Sequence, residues 1–147
     1  MKLRKIVTLL LALLLCLLLA ACSDQGKNAR YADGTYTGRS SDFQEDEDGN
    51  GAGYGMVEVT IQNNKVIACT FTMYELDGTV KDDSYGADLS KENRLKAQKA
   101  VQAAPKYAEQ LIAAGSLNGV DAISGATISY NEFLEAVKDA LSKAIVK

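Results

Sequence analysis

The 147-residue chain contains no histidine and no tryptophan, and it has one proline and three cysteines. Without histidine the usual zinc sites, His-ligated haem, and Ser-His or Cys-His nucleophile pairs are all excluded. Basic charge is also scarce. Sixteen Lys and Arg stand against 19 Asp and Glu, a formal charge of −3, so no positive field exists to grip a phosphate backbone and no nucleic-acid partner is expected. The length suits one hydrophobic core and is short for two.

Lys2, Arg4 and Lys5 precede an apolar run from Ile6 to Ala21 that only Thr8 interrupts. This is the layout of a secretory signal, and the run falls short of the roughly 20 apolar residues that a spanning helix needs. Its end, Leu19-Ala20-Ala21-Cys22, resembles the lipobox of bacterial lipoproteins. The resemblance implies a signal peptide over 1–21, diacylation of Cys22, and a mature chain held at the extracytoplasmic face of the cell membrane. Two acyl chains suffice for stable anchoring. Loss of Lys2, Arg4 and Lys5 deepens the net charge to about −6, so the body of the domain should not seek anionic lipid. With Cys16 lost and Cys22 lipidated, Cys69 has no disulfide partner, and the fold must rest on its core.

Residues 22–30 read as a polar, flexible tether, and the domain is expected over 31–147. Thr35-Tyr36-Thr37 reads as a first strand, followed by an exposed, mobile loop from Ser40 to Gly55 rich in Asp, Glu and Gly. The alternation of Val57, Val59 and Ile61, then Ile67, Cys69, Phe71 and Met73, predicts a β-hairpin with these seven side chains on one buried face. Asn63-Asn64 between them suits a type I′ turn. From Ser90 the period becomes helical, with Ala97, Val101, Ala104, Ala108, Leu111 and Ile112 on one stripe and Gly115 as the stop. Pro105 predicts a kink, or a break into two helices. Phe133, Leu134, Val137, Leu141, Ala144 and Ile145 form the stripe of a last helix, and Ser129-x-x-Glu132 reads as its capping box. Strands followed by helices predict an α+β class: an antiparallel sheet with a hairpin, packed against C-terminal helices.

Just ahead of that helix stands Asp121-Ala122-Ile123-Ser124-Gly125-Ala126-Thr127. It resembles the Asp-x-x-Ser/Thr-Gly-Ala-Thr flavinylation motif of FMN-binding domains, such as those of Rnf-type and sodium-pumping quinone reductase subunits. The wider layout is similar too: Asp33-Gly34-Thr35-Tyr36-Thr37-Gly38, then a hairpin, helices and the motif. The resemblance extends over Tyr31 to about Lys143. It implies a small FMN-binding-type domain with FMN joined covalently, by a phosphoester, to Thr127. Asp121, Ser124, Gly125 and Ala126 would be the context read by a separate flavin transferase. Ala122 departs from the Gly often found there, and the lipid anchor replaces the membrane helix of the complex subunits, so membership of an ion pump is not implied.

Elementary chemistry agrees with this position. A helix N-terminus offers unpaired N–H groups and a partial positive charge to a phosphate, and Gly125 and Ala126 raise no steric wall beside the hydroxyl. Tyr54, Tyr74, Tyr85 and Tyr130, with Met56, are the candidate faces for a flavin ring, although tyrosines more often serve as amphipathic packing residues. Cys69 reads as a packing cysteine. Asp46-Glu47-Asp48-Gly49-Asn50-Gly51 fits the first half of a calcium loop, but position twelve is Val57, and a solvated acidic loop is the better reading. The expected function is a tethered electron carrier rather than a stand-alone enzyme. It would take electrons from a membrane dehydrogenase or quinol and pass them to a partner or external acceptor. The alternative is a surface lipoprotein that uses the same fold, without flavin, for binding or adhesion.

Overall fold

The computed structural model describes residues 29–47, 49 and 51–147. The expected signal peptide, Cys22 and the tether up to residue 28 lie outside the described residues. Three strands, β1 (Gly34–Arg39), β2 (Tyr54–Gln62) and β3 (Lys65–Tyr74), form an antiparallel sheet in the order β1-β2-β3. Two helices follow, α1 (Lys91–Ala114) and α2 (Thr127–Ala144), with a 3-10 turn at Leu117–Gly119 between them. The expected α+β class is the observed one. No helix among the described residues is long and apolar enough to cross a membrane.

Both helices cover one face of the sheet, α2 against β1 and β2, and α1 against β3. Val57, Val59, Ile61, Phe71 and Met73 meet Tyr107, Leu111, Phe133, Val137 and Ala140 there. Phe133 anchors this layer, edge-on to Phe71 at 5.1 Å and stacked on Tyr107 at 5.7 Å between centroids. At Gly38 the backbone of α2 comes so close that a Cβ would run into the Ala136 carbonyl, which lets β1 lie flat under the helix. The far end of α2 is tied to the start of the domain. Ala32 N–H donates to the Ala144 carbonyl and Val146 N–H to that of Arg30, both at 2.8 Å. Backbone pairing therefore reaches back to the last residue expected of the tether.

The β2–β3 turn places Asn63 and Asn64 at φ of 52° and 63°, the left-handed pair that a type I′ turn needs. The expected inward face needs one correction. The register shifts between Thr60 and Ile61, so Val66 rather than Ile67 is buried, and Ile67 is 48% exposed. The extra residue reverses the alternation, which returns to phase by Phe71 and Met73. Cys69 is half-buried beside this irregularity, and burial pushes its thiol up to about 12.

Four further expectations are adjusted. Of the kink or break expected at Pro105, the break does not occur: α1 runs on through this residue, which lies on its exposed face, where the carbonyl freed of its helical partner can be met by water. Ile112 is 39% exposed, whereas Ala103 and Tyr107 are buried. Ile145 lies beyond the end of α2, exposed, and bridges to Tyr31. The Ser40–Gly55 segment is not uniformly exposed either. Ser40, Gly53 and Gly55 are buried, and Phe43 pairs with Gly53 in both directions at 2.7 and 2.9 Å.

Candidate functional site

Ser124 and Gly125 make a tight turn, closed by Ala126 N–H donating to the Ile123 carbonyl at 3.0 Å. Gly125 sits at φ +81°, the left-handed position that glycine adopts without strain. Tyr107 of α1 holds this turn from beneath. Its hydroxyl donates to the Ala126 carbonyl at 3.0 Å and accepts from Ile123 N–H at 3.2 Å. Tyr130 adds a third tie by donating to the Val120 carbonyl at 3.0 Å. The sequence reading missed Tyr107. Its only signal was a tyrosine one residue before the helical stripe's Ala108.

α2 begins at Thr127, two residues before the expected cap, with Ala126 as its N-cap and no side-chain cap bond. This corrects the capping box: Ser129 and Glu132 lie inside the helix, 3% and 5% exposed. The first helical hydrogen bond runs from Tyr130 N–H to the Ala126 carbonyl at 3.0 Å, leaving the amides of Thr127, Ile128 and Ser129 in the open first turn. The Thr127 side chain is exposed.

A cleft of about 210 Å³ opens at this helix end. Thr127, Ser129 and Glu132 line it from α2, Lys96 from α1, and Lys81 and Tyr85 from the segment that follows β3. Gly125 and Ala126 also border it, whereas Asp121 and Ser124 are exposed and stand outside its lining. Asp121 N–H donates to the Gln110 side chain at 2.7 Å, which ties the start of the motif to α1. Of the aromatic candidates, Tyr85 alone borders the cleft. Tyr54 and Tyr74 stack on each other with the Arg39 guanidinium 3.8 Å from the Tyr54 ring centre, and Tyr130 packs against Tyr107. Met56 lies in β2, half-buried, and does not border the cleft. Asp48 and Asn50 of the calcium-loop expectation lie outside the described residues.

Lys81 and Glu132 give the cleft its electrostatics. Lys81 is buried, with Nζ 3.3 Å from the Gly51 carbonyl and 4.9 Å from the Tyr85 ring centre. Burial pulls its ammonium below the usual range, partly offset by Glu132 and Glu75. Burial pushes the Glu132 carboxyl up to about 7, against the pull of Lys81 and with help from Glu135. Glu132 Oε1 is buried without a hydrogen-bond partner. Tyr85 is raised by burial and then by Glu75, Glu132 and Glu45. A wider groove shares Tyr85, Leu89 and Asn93 with the cleft and carries the acids Glu45, Glu75, Asp77 and Asp88, whereas Lys81 and Lys96 line the cleft that holds Thr127.

These residues fit a phosphate ester. Open amides at a helix start and an accessible hydroxyl share one cleft with Lys81 and Lys96, and the one acid lining it among the described residues has its carboxyl pushed up by burial, which weakens its repulsion of an anion.

Residues 50–142 match the family model described as the FMN-binding domain. Among solved structures, the CPE2226 protein from Clostridium perfringens is similar, with a TM-score of 0.56 and 19% identity over 78% of this chain and 88% of that one. That likeness concerns the fold. No curated protein sequence matches the chain significantly. With its motif-bearing helix start inside the matched span, the chain belongs to the FMN-binding domain family.

Proposed function

We propose that the protein is an electron carrier tethered by lipid on Cys22 to the extracytoplasmic face of the cell membrane, with FMN joined through its phosphate to Thr127. The observation that carries this reading is the exposed Thr127 hydroxyl at the open first turn of α2, in a cleft shared with Lys81 and Lys96, within a chain of the FMN-binding family. FMN, when bound, supplies a ring that exchanges one or two electrons.

The chain's own residues hold and orient. The first-turn amides and the two ammonium groups would hold the phosphate ester, and Tyr85 offers the one aromatic face at the cleft. Tyr107 keeps the Ser124-Gly125-Ala126 turn in the shape that presents Thr127 to a flavin transferase. A covalent link suits a compartment from which a lost cofactor could not be replaced. Electrons would come from a membrane dehydrogenase or quinol and leave to a partner or external acceptor. Peptide mapping of the native protein tests the attachment: the peptide containing Thr127 should carry the mass of FMN less one water, and Cys22 a diacylglycerol.

A further inference from the structure

Glu132 is the one feature of the cleft that phosphate binding leaves unexplained. A carboxyl 5% exposed, with Oε1 lacking any hydrogen-bond partner, sits in the same cleft as Thr127. Buried polar atoms left unpaired are costly and rare. The nearby cation does not satisfy it, since the Lys81 ammonium is directed to the Gly51 carbonyl and the Tyr85 ring. The charged and titratable groups around it are Lys81 and Tyr85 beyond β3, Glu75 after β3, and Lys96 on α1. Among the described residues, Glu135 on its own helix and Asp42 after β1 also adjoin it. An ionised Glu132 would face a phosphate ester as a like charge in a partly desolvated cleft, whereas a protonated one has an O–H to donate.

We propose that Glu132 is the proton-binding partner of the phosphate ester at Thr127, its carboxyl binding a solvent proton more tightly once the phosphodiester monoanion is installed and donating a hydrogen bond into the cleft in its protonated form. This rests on the FMN reading above and adds a group to it: the acid holds cofactor charge and proton uptake together. Carboxylate plus solvent proton gives carboxylic acid, and no electron moves.

The test compares 13C-labelled protein made with and without a flavin transferase. The Glu132 carboxyl resonance, assigned by its loss in Glu132→Gln, is titrated from about pH 5 to 9, and the mass of each sample records flavin on Thr127. The expected result is a Glu132 midpoint already above the ordinary carboxyl range in unmodified protein. On flavinylation its proton affinity should rise about tenfold, one pKa unit. The phosphodiester 31P resonance should follow the same midpoint in the wild type and be flat in Glu132→Gln. A loaded sample with an unmoved Glu132 midpoint, or a 31P titration that persists in Glu132→Gln, overturns this proposal and leaves the FMN reading standing. A sample that a competent transferase fails to load overturns the covalent reading and this proposal with it. Should Glu132→Gln fail to fold, Glu132→Asp assigns the resonance by its displacement, and the wild-type pair still decides.

Discussion

The Tyr107 hydroxyl lies between the Ile123 amide and the Ala126 carbonyl, 3.2 and 3.0 Å away, and so pins both ends of the turn that delivers Thr127 to the start of α2. One side chain from the middle of α1 thereby couples the core to the modification site, since its ring also stacks on Phe133. Tyr107→Phe keeps the ring and removes both bonds. It should lower unfolding free energy by about 1–3 kcal/mol, because two backbone groups lose a partner at a buried site. Urea denaturation checks this, and an unchanged midpoint would remove Tyr107 from the account.

Gly125→Ala tests the turn itself. At φ +81° an added Cβ costs roughly 1–2 kcal/mol, and here it also meets the Lys99 side chain at 3.3 Å. The variant should fold, with lower stability and slower flavin loading by the transferase. Equal loading rates for Gly125→Ala and wild type would show that turn shape does not matter to presentation.

At Gly38 the cost should be larger. A Cβ there strikes the α2 backbone, which cannot step aside as a side chain can, so Gly38→Ala should destabilise by about 2–3 kcal/mol or more by separating β1 from α2. Thermal melts compare it with Gly78→Ala, where nothing lies within 4 Å of an added Cβ. The Gly78 site has its own left-handed φ of 91°, so only the excess at Gly38 reports on packing.

Stability should also depend on pH through Glu132. Its folded pKa of about 7 lies above the ordinary 4.5, so the native state binds the extra proton. The associated stability is complete below pH 4.5 and is lost as pH rises toward 7, a swing of roughly 3 kcal/mol. Asp77, Asp82, Glu135 and Asp139 are shifted downward by hydrogen bonds, so their contribution is lost on acidification instead, in a lower window. Glu132→Gln should therefore be more stable than wild type at pH 8 and lack the fall between pH 4.5 and 7. A wild-type curve flat through that interval would show that Glu132 ionises normally.

Much of the scaffold was legible because local chemistry decided it. Asn63-Asn64 announced the hairpin, Ser90 and Gly115 bounded α1, and the motif lay where α2 begins. The misreadings occurred where tertiary packing overrode a local pattern. Strict alternation carried Ile67 inward, but one extra residue in β3 turned it outward. Ser129-x-x-Glu132 has the string of a capping box, yet both side chains are buried within the helix, and Glu132 instead lines the cleft with Lys81. Tyr107 and Lys81 carried no motif. Their roles arise from a helix and a post-strand segment meeting a turn 16 or more residues away in sequence.

Peptide mapping by mass spectrometry of the protein taken from its own membrane reads the Thr127 linkage directly. FMN less one water is expected on the peptide bearing Thr127, and on no other hydroxyl-bearing peptide. Folded, lipidated protein with Thr127 bare would contradict it.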